Sequence, residues 1–417
     1  MREHAYRLVM HRHFPLACFL LFLLPRALIL LIPLQPESDA GWYFDRAREL
    51  AAGLGYQDGG VPTTFWPVGY PIFLAGFFIL FGPHLLVAQL VNLALSCGIF
   101  VLVLHLARRI FACEPGARIA GLLLAVYPNQ IGYTGVLFSE MLVTCLMLAV
   151  IALMLRADGA GRFLLVGLLM GAASMVKVQQ LLLPGLLMLI WLAARWGQPA
   201  LLRRGALFAA CFAAGMAVVV LPWVARNVAV FGEPVLFTGG GGSFYEGANP
   251  DADGGRNAQV SARLTREVGF TIADQVAAER RAWAAALAWV RENPGRWLML
   301  APGKAWHLWK LDGEAEWWFQ LGYPGYERHV LVFRAARIVN QAFYAGILAL
   351  SALALIAILR ERPLAAPWRL VGYGVALYIT AICMVFTGQP RYHFPAMPLL
   401  IVTAGWYLAR FLPRPRD

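Results

Sequence analysis

The 417-residue sequence predicts an all-α polytopic membrane protein of about ten transmembrane helices, with external amphipathic helices and a small external α-containing cap. Three observations carry this. Apolar residues make up 60% of the chain and charged ones only 14%, and mean hydropathy is +0.63, which excludes an ordinary soluble domain. Apolar runs recur near the length needed to cross ~30 Å of hydrocarbon. Arginines collect at alternate ends of those runs, the pattern of short cytoplasmic loops.

Spans are expected at roughly 15–35, 84–107, 117–129, 136–156, 162–176, 180–195, 205–225, 335–359, 369–386 and 394–410. The apolar stretch 68–82 is broken by Gly69, Pro71 and Gly76 and fits a re-entrant half-helix better than a crossing. With the N-terminus inside, the cytoplasmic pieces carry Arg2, Arg7, Arg12, then Arg108, Arg109, Arg118, then Arg156, Arg162, then Arg195, Arg203, Arg204, then Arg360, Arg362, Arg369, and finally Arg410, Arg414, Arg416. These are about half of the 35 Lys and Arg, all in short segments where the positive-inside rule has force. Both termini are then cytoplasmic, which requires an even number of spans. The net charge of +12 becomes largely a topology signal, with anionic membrane lipids as partners. Nucleic acid is not expected as a partner, because the basic residues form no continuous stripe.

The first span has a basic flank, contains Arg26 and lacks a small-x-small cleavage site, so it reads as a retained anchor. The six cysteines sit in or beside the spans without CxxC pairing and offer neither a disulfide framework nor a metal knuckle. The chain divides into a transmembrane module with an external loop at 36–83 (1–226), an external segment (227–333) and C-terminal helices (334–417). In the loop, Trp42 to Leu54 is amphipathic: Tyr43, Ala47, Leu50, Ala51 and Leu54 share one face, and Asp45, Arg46, Arg48 and Glu49 the other. Such a helix is expected to lie in the interface plane. The external segment offers one clear helix, at about 272–292, before Asn293-Pro294-Gly295. An aromatic, basic run from Trp297 to Trp318 then reads as an interfacial belt, with sugar stacking by one or two tryptophans as the alternative. The Gly239–Gly242 run lacks the Lys-Ser/Thr of a P-loop and is expected to be a linker or lid.

Polar motifs follow one another in a definite order. Asp39 stands just after the first span, before the amphipathic helix. Then come Gly53-Leu54-Gly55-Tyr56, the stretch Pro67 to Pro71 with Tyr70, Tyr127-Pro128, and Ser139-Glu140. Pro222-Trp223, Arg226-Asn227, Glu246 to Pro250, and Arg391-Tyr392 with Pro395 and Pro398 complete the series. This order resembles the GT-C membrane glycosyltransferases, in the bacterial branch of protein mannosyltransferases and aminoarabinose transferases. The resemblance covers nearly the whole chain. It implies a GT-C-like fold in the bacterial cytoplasmic (inner) membrane, with the active site facing the periplasm or exterior. It further implies transfer of a sugar, with inversion, from a polyprenyl-phosphate donor to a glycan, lipid or protein acceptor.

The chemistry constrains the residues independently. A phosphate-linked donor carries its own leaving group, so the protein must activate a hydroxyl or amine and neutralise the departing phosphate. Asp39 fits the base and matches the family's acidic residue after the first span; its other reading is a helix cap. Where the family often has an Asp-Glu pair, this chain has Asp39-Ala40, a gap for Glu37 or Glu140 to fill. Glu140 is a second acid, orienting the acceptor or a metal, or simply a carboxylate favoured at a helix N-terminus. Asp39 with Glu140 suits Mg²⁺, Mn²⁺ or Ca²⁺ better than zinc, and no cofactor is certain. Arg391, Lys177, Arg226 and Tyr392 are the candidate donor-phosphate ligands, against a reading of the cations as snorkelling anchors. Glu37, Tyr70 and His393 are assigned to the substrate. The competing function is a transporter or flippase of a lipid-linked sugar, which the absence of a two-fold repeat in span order disfavours.

Overall fold

The computed structural model describes residues 2–361 and 366–413, so Arg362, Arg414 and Arg416 of the basic pieces lie outside the described residues. The fold is built almost wholly of helices. The one strand pairing named among the described residues is a hairpin, β1 (Gln57–Asp58) with β2 (Val61–Pro62). Its two-residue turn needs positive φ, which Gly59 and Gly60 supply.

The first part runs α1 (Arg2–Met10), α2 (Phe14–Ile29), α3 (Asp39–Ala51), the hairpin, α4 (Gly69–Phe81), α5 (Leu85–Phe111), α6 (Glu114–Ala125), α7 (Pro128–Gly135), α8 (Ser139–Met154), α9 (Ala160–Val176), α10 (Leu183–Ala193) and α11 (Leu201–Phe231). The segment 227–333 then folds as α12 (Gly240–Glu246), α13 (Ala258–Glu267), α14 (Gln275–Glu292), α15 (Pro294–Trp309) and α16 (Glu314–Gly322). The chain ends with α17 (Val330–Arg360), α18 (Val371–Val385) and α19 (Met397–Ala409).

Among the described residues, four helical segments are long and apolar enough to cross a membrane: α5, α11, Glu327–Arg360 and Pro367–Val385. Counting the bent pairs α1–α2 (78°) and α7–α8 (117°) as one span each raises the number to six. α4, α9 and Val178–Ala193 are shorter apolar helices. The expected ten spans are therefore divided differently. Hydropathy counts apolar residues and does not register where the backbone turns. The 117–129 span is α6, which stops at Ala125 before Tyr127-Pro128, and the 136–156 span begins only at Ser139, after α7. Pro128, Pro184 and Pro398 each stand in the first turn of a helix, where a missing N–H costs nothing. The half-helix expected at 68–82 is α4.

Helix contacts in the bundle rest on small residues. A Cβ at Gly167 of α9 would lie 2.2 Å from the Phe212 carbonyl oxygen of α11, so only glycine permits that approach. Arg26 of α2 is fully buried and donates to Ser96, to Gln130 and to the carbonyls of Phe22, Leu124 and Ala125. A cation at the C-terminal carbonyls of α6 complements the helix dipole. Arg26 thus pairs inside the bundle.

Two sequence expectations are corrected. Arg46, placed on the polar face of an interfacial helix, is buried: it bonds Glu49 at 2.8 Å and Asp58 at 2.6 Å, and its guanidinium lies over Trp42. These partners lie in a loop that helical periodicity cannot see. The 227–333 segment holds five helices, and the Gly239–Gly242 run opens one of them. The aromatic run after Trp297 folds largely as α15, with Lys304 and Leu308 buried and Trp306 exposed.

Candidate functional site

A cavity of about 800 Å³ lies between the membrane helices and the 227–333 segment. Asp39, Tyr43, Glu140, Lys177, Arg391 and Tyr392 line its polar end. Val178, Leu181, Leu182 and Ile382 give it an apolar side, and Leu182 is 65% exposed on the outer surface of the bundle. α12 and α14 close the other side with Gly239, Gly240, Ser243, Glu279 and Trp283.

Apart from Tyr43, inside α3, each of these residues is delivered by a helix end. Asp39 lies in the first turn of α3, and the N-cap Ser38 makes no side-chain cap bond. Glu140 lies in the first turn of α8, Lys177 follows α9, and Arg391 and Tyr392 sit in the 3₁₀ turn Pro390–Ala396 before α19. Helix ends leave backbone groups unpaired and admit side chains, so they gather polar residues at one level of an apolar bundle.

The charges form two ion pairs. Arg391 Nη1 donates to Asp39 Oδ2 at 2.7 Å, with 16% and 13% of the side chains exposed. Lys177 Nζ donates to Glu140 Oε1 at 2.7 Å, and the Glu140 side chain is only 1% exposed. The Tyr392 ring joins the pairs, with Lys177 Nζ 5.4 Å and Arg391 Cζ 5.5 Å from its centroid. Arg391 Nε is buried and donates to no group among the described residues. The guanidinium therefore keeps donors beyond the one given to Asp39.

Glu279 is a cavity residue that sequence reasoning missed. Its Oε1 accepts from Gly241 N at 2.7 Å and Trp283 Nε1 at 2.8 Å, fixing α12 on α14. Burial pushes its carboxyl above the ordinary range. The one signal in the sequence is its spacing four residues before Trp283, which places both on one face of α14.

The remaining sequence candidates lie off the cavity. Arg226 donates to the carbonyls of Thr63 and Tyr56 and packs on Trp223, which ties α11 to the loop between α3 and α4. Tyr70 is fully buried, its hydroxyl 3.4 Å from Asn92 and its ring edge-on to Tyr43. Glu37 is exposed, and its backbone carbonyl accepts from Ala40 N at the start of α3. His393 is wholly buried against Asp312 and the Leu308 carbonyl. Asp39 and Glu140 are not arranged as a metal cradle: each is already bonded to a cationic side chain. Among the described residues no group of three or more His, Cys, Asp or Glu is placed to hold a metal ion.

Comparisons with known proteins agree with this architecture. Residues 66–223 match the profile of the dolichyl-phosphate-mannose-protein mannosyltransferases. The apo oligosaccharyltransferase of Archaeoglobus fulgidus superposes with a TM-score of 0.54 at 13% identity, covering 96% of this chain and 51% of that one. The two chains therefore share a fold. The same archaeal protein, tethered to an acceptor peptide containing the NVT sequon, gives a TM-score of 0.52 at 13% identity over 96% of this chain and 50% of that one. ArnT from Cupriavidus metallidurans bound to undecaprenyl phosphate gives 0.45 at 18% identity over 96% and 76% of the respective chains. No curated protein sequence matches the chain. The chain spans about half the length of the archaeal oligosaccharyltransferase. The GT-C resemblance read from the motif order is thereby borne out, and the matched stretch contains Glu140 and Lys177 while Asp39 and Arg391 fall outside it.

Proposed function

We propose that the protein is an integral membrane glycosyltransferase that moves a sugar from a polyprenyl-phosphate donor to an acceptor at the external face of the bacterial inner membrane, with inversion at the anomeric carbon. The observation that carries this reading is the pairing of two carboxylates with two cations at the polar end of one cavity whose apolar side reaches the outer surface of the bundle. The isoprenoid chain would lie along Leu181 and Leu182, and the phosphate would take donors from Arg391 and Lys177. As Arg391 turns to the phosphate, Asp39 loses its partner and becomes the base for an acceptor hydroxyl or amine. The acceptor atom bonds the anomeric carbon as the bond to the phosphate oxygen breaks. Its proton passes to Asp39, and the bonding electrons leave with the phosphate. Glu140, held by Lys177, would orient the acceptor. The basic pieces support the external placement of this end.

A fold alone does not fix an activity, so the deciding experiment is chemical. Envelope lipids and glycans are analysed by mass spectrometry with and without the protein. Accumulation of an intact polyprenyl-phosphate sugar together with loss of one glycan modification is expected. A build-up confined to the cytoplasmic leaflet would instead make the protein a flippase.

A further inference from the structure

His393 stands two residues beyond Arg391 in the same 3₁₀ turn and is fully buried. Its Nδ1 lies 2.7 Å from the Leu308 carbonyl oxygen, which only accepts, so that nitrogen carries a proton. Its Nε2 lies 3.2 Å from Asp312 Oδ1. That carboxylate is itself surrounded by donors: Asn129 Nδ2 at 2.6 Å on Oδ1, and the Tyr127 hydroxyl at 2.8 Å and Asn340 Nδ2 at 3.2 Å on Oδ2. Three donors on one carboxyl favour its ionised form, which leaves its fourth partner to donate as well. The imidazole is also stacked between two aromatic faces, Trp309 and Tyr344, each with its ring centroid 5.1 Å away and within 17° of parallel. Such a sandwich favours a cation.

We propose that His393 is held as an imidazolium against Asp312, and that this buried pair is the positioning element that sets Arg391 against Asp39. The pair ties together four separate parts of the chain: the α6–α7 junction through Tyr127 and Asn129, the α15–α16 link through Asp312, α17 through Asn340, and the turn itself. A second tie lies just upstream. Gly388 N donates to Gly254 O at 2.9 Å, and a Cβ at Gly388 would sit 1.9 Å from the Lys304 carbonyl oxygen. The turn therefore cannot shift without moving the 227–333 segment. Besides Asp312, the ionisable groups facing the imidazole are Glu314 and Tyr344, while Tyr127 reaches it only through Asp312. On the other helices packed against the turn, Glu140, Lys304, His307 and Cys383 make no bond to the ring.

The positioning role rests on the donor-phosphate reading of Arg391, and the test separates the two. In full-length protein labelled with ¹⁵N-histidine, the resonance that disappears in His393→Gln is expected to show both ring nitrogens protonated at pH 7.5. A neutral tautomer there overturns the proposal. Decaprenyl phosphate serves as the binding probe. His393→Gln is expected to bind it about tenfold more weakly than wild type, and to add nothing to the loss already caused by Arg391→Ala. Additive losses, or equal affinity in His393→Gln and wild type, would show a merely structural histidine and overturn the positioning role while leaving the phosphate site intact. Wild-type protein that does not bind decaprenyl phosphate overturns the donor reading and the positioning role together. Should His393→Gln fail to fold, Asp312→Asn makes the same test, since it keeps the shape but removes the counter-charge, and the ring is then expected to become neutral.

Discussion

Arg391 meets Asp39 at 2.7 Å, joining the first helix after the opening span to the last turn before the final helix. The candidate base and the candidate phosphate ligand are thus one unit. Substituting either residue alters the other.

Asp39→Asn keeps the shape but removes the base and releases Arg391. Sugar transfer is expected to fall by roughly 10²-fold or more, with decaprenyl phosphate bound as well as in wild type or better. Steady-state kinetics beside a direct binding titration checks this. Near-normal turnover in a folded Asp39→Asn protein would pass the base role to Glu140, since Glu37 lies off the cavity.

At Arg391 the charge and the fork of donors can be separated. Lys keeps the charge without the fork, so Arg391→Lys is expected to weaken decaprenyl phosphate binding about tenfold and Arg391→Ala clearly more. The alanine variant also leaves Asp39 unpaired, and a stability loss of about 1–3 kcal/mol is expected with it. Tolerance of lysine together with unchanged affinity in both variants would make Arg391 an anchor.

Lys177 is the partner of a carboxylate with only 1% of its side chain exposed. Lys177→Met is expected to destabilise the protein by about 3 kcal/mol by leaving that carboxylate buried and unpaired. Adding Glu140→Gln should restore most of the stability and none of the activity. Unfolding in detergent, followed for both variants, provides the measurement; a single variant as stable as wild type would mean that Lys177 is not what stabilises the buried Glu140.

The pH dependence of stability has a definite sign. Burial raises the carboxyls of Glu246, Glu279 and Glu314 above their ordinary range. The folded state then binds protons at a pH where the unfolded chain does not, so stability rises as pH falls through these raised values. Asp274 runs the other way: hydrogen bonds from Arg281 and Thr271 lower it to about 2. Its contribution is present above the ordinary Asp range and is lost as pH falls toward 2. Tm is therefore expected to climb as pH falls toward the ordinary Glu range and to drop in stronger acid, with a flatter climb in Glu279→Gln. A Tm that falls steadily from pH 8 to pH 5 would contradict the burial of these groups.

Much of this was legible in the sequence because membrane burial is written in composition. The apolar runs and arginine clusters marked the helices, and the scarcity of acids made Asp39 and Glu140 conspicuous. The pairing was not legible. Nothing local links Asp39 to Arg391 or Glu140 to Lys177, because each contact depends on how helix ends meet across the bundle. That Arg226 and His393 lie off the cavity was not legible for a related reason: a basic or titratable residue at a helix end looks the same in sequence whether it faces a cavity or bonds to backbone carbonyls. Of the five helices of 227–333 only α14 was legible; the others were hidden by glycines and prolines, which mark breaks but do not reveal that the short pieces between them are held by packing, as α12 is held on α14 through Glu279.

The two ion pairs leave the polar end of the cavity electrically balanced, each cation matched to a carboxylate. A phosphate diester brings one negative charge into that balanced set. Neutrality in a poorly hydrated site is restored most readily when a carboxylate takes up a proton. The proton that restores the balance is the acceptor's, and Asp39, released as Arg391 turns to the phosphate, is the carboxylate placed to take it.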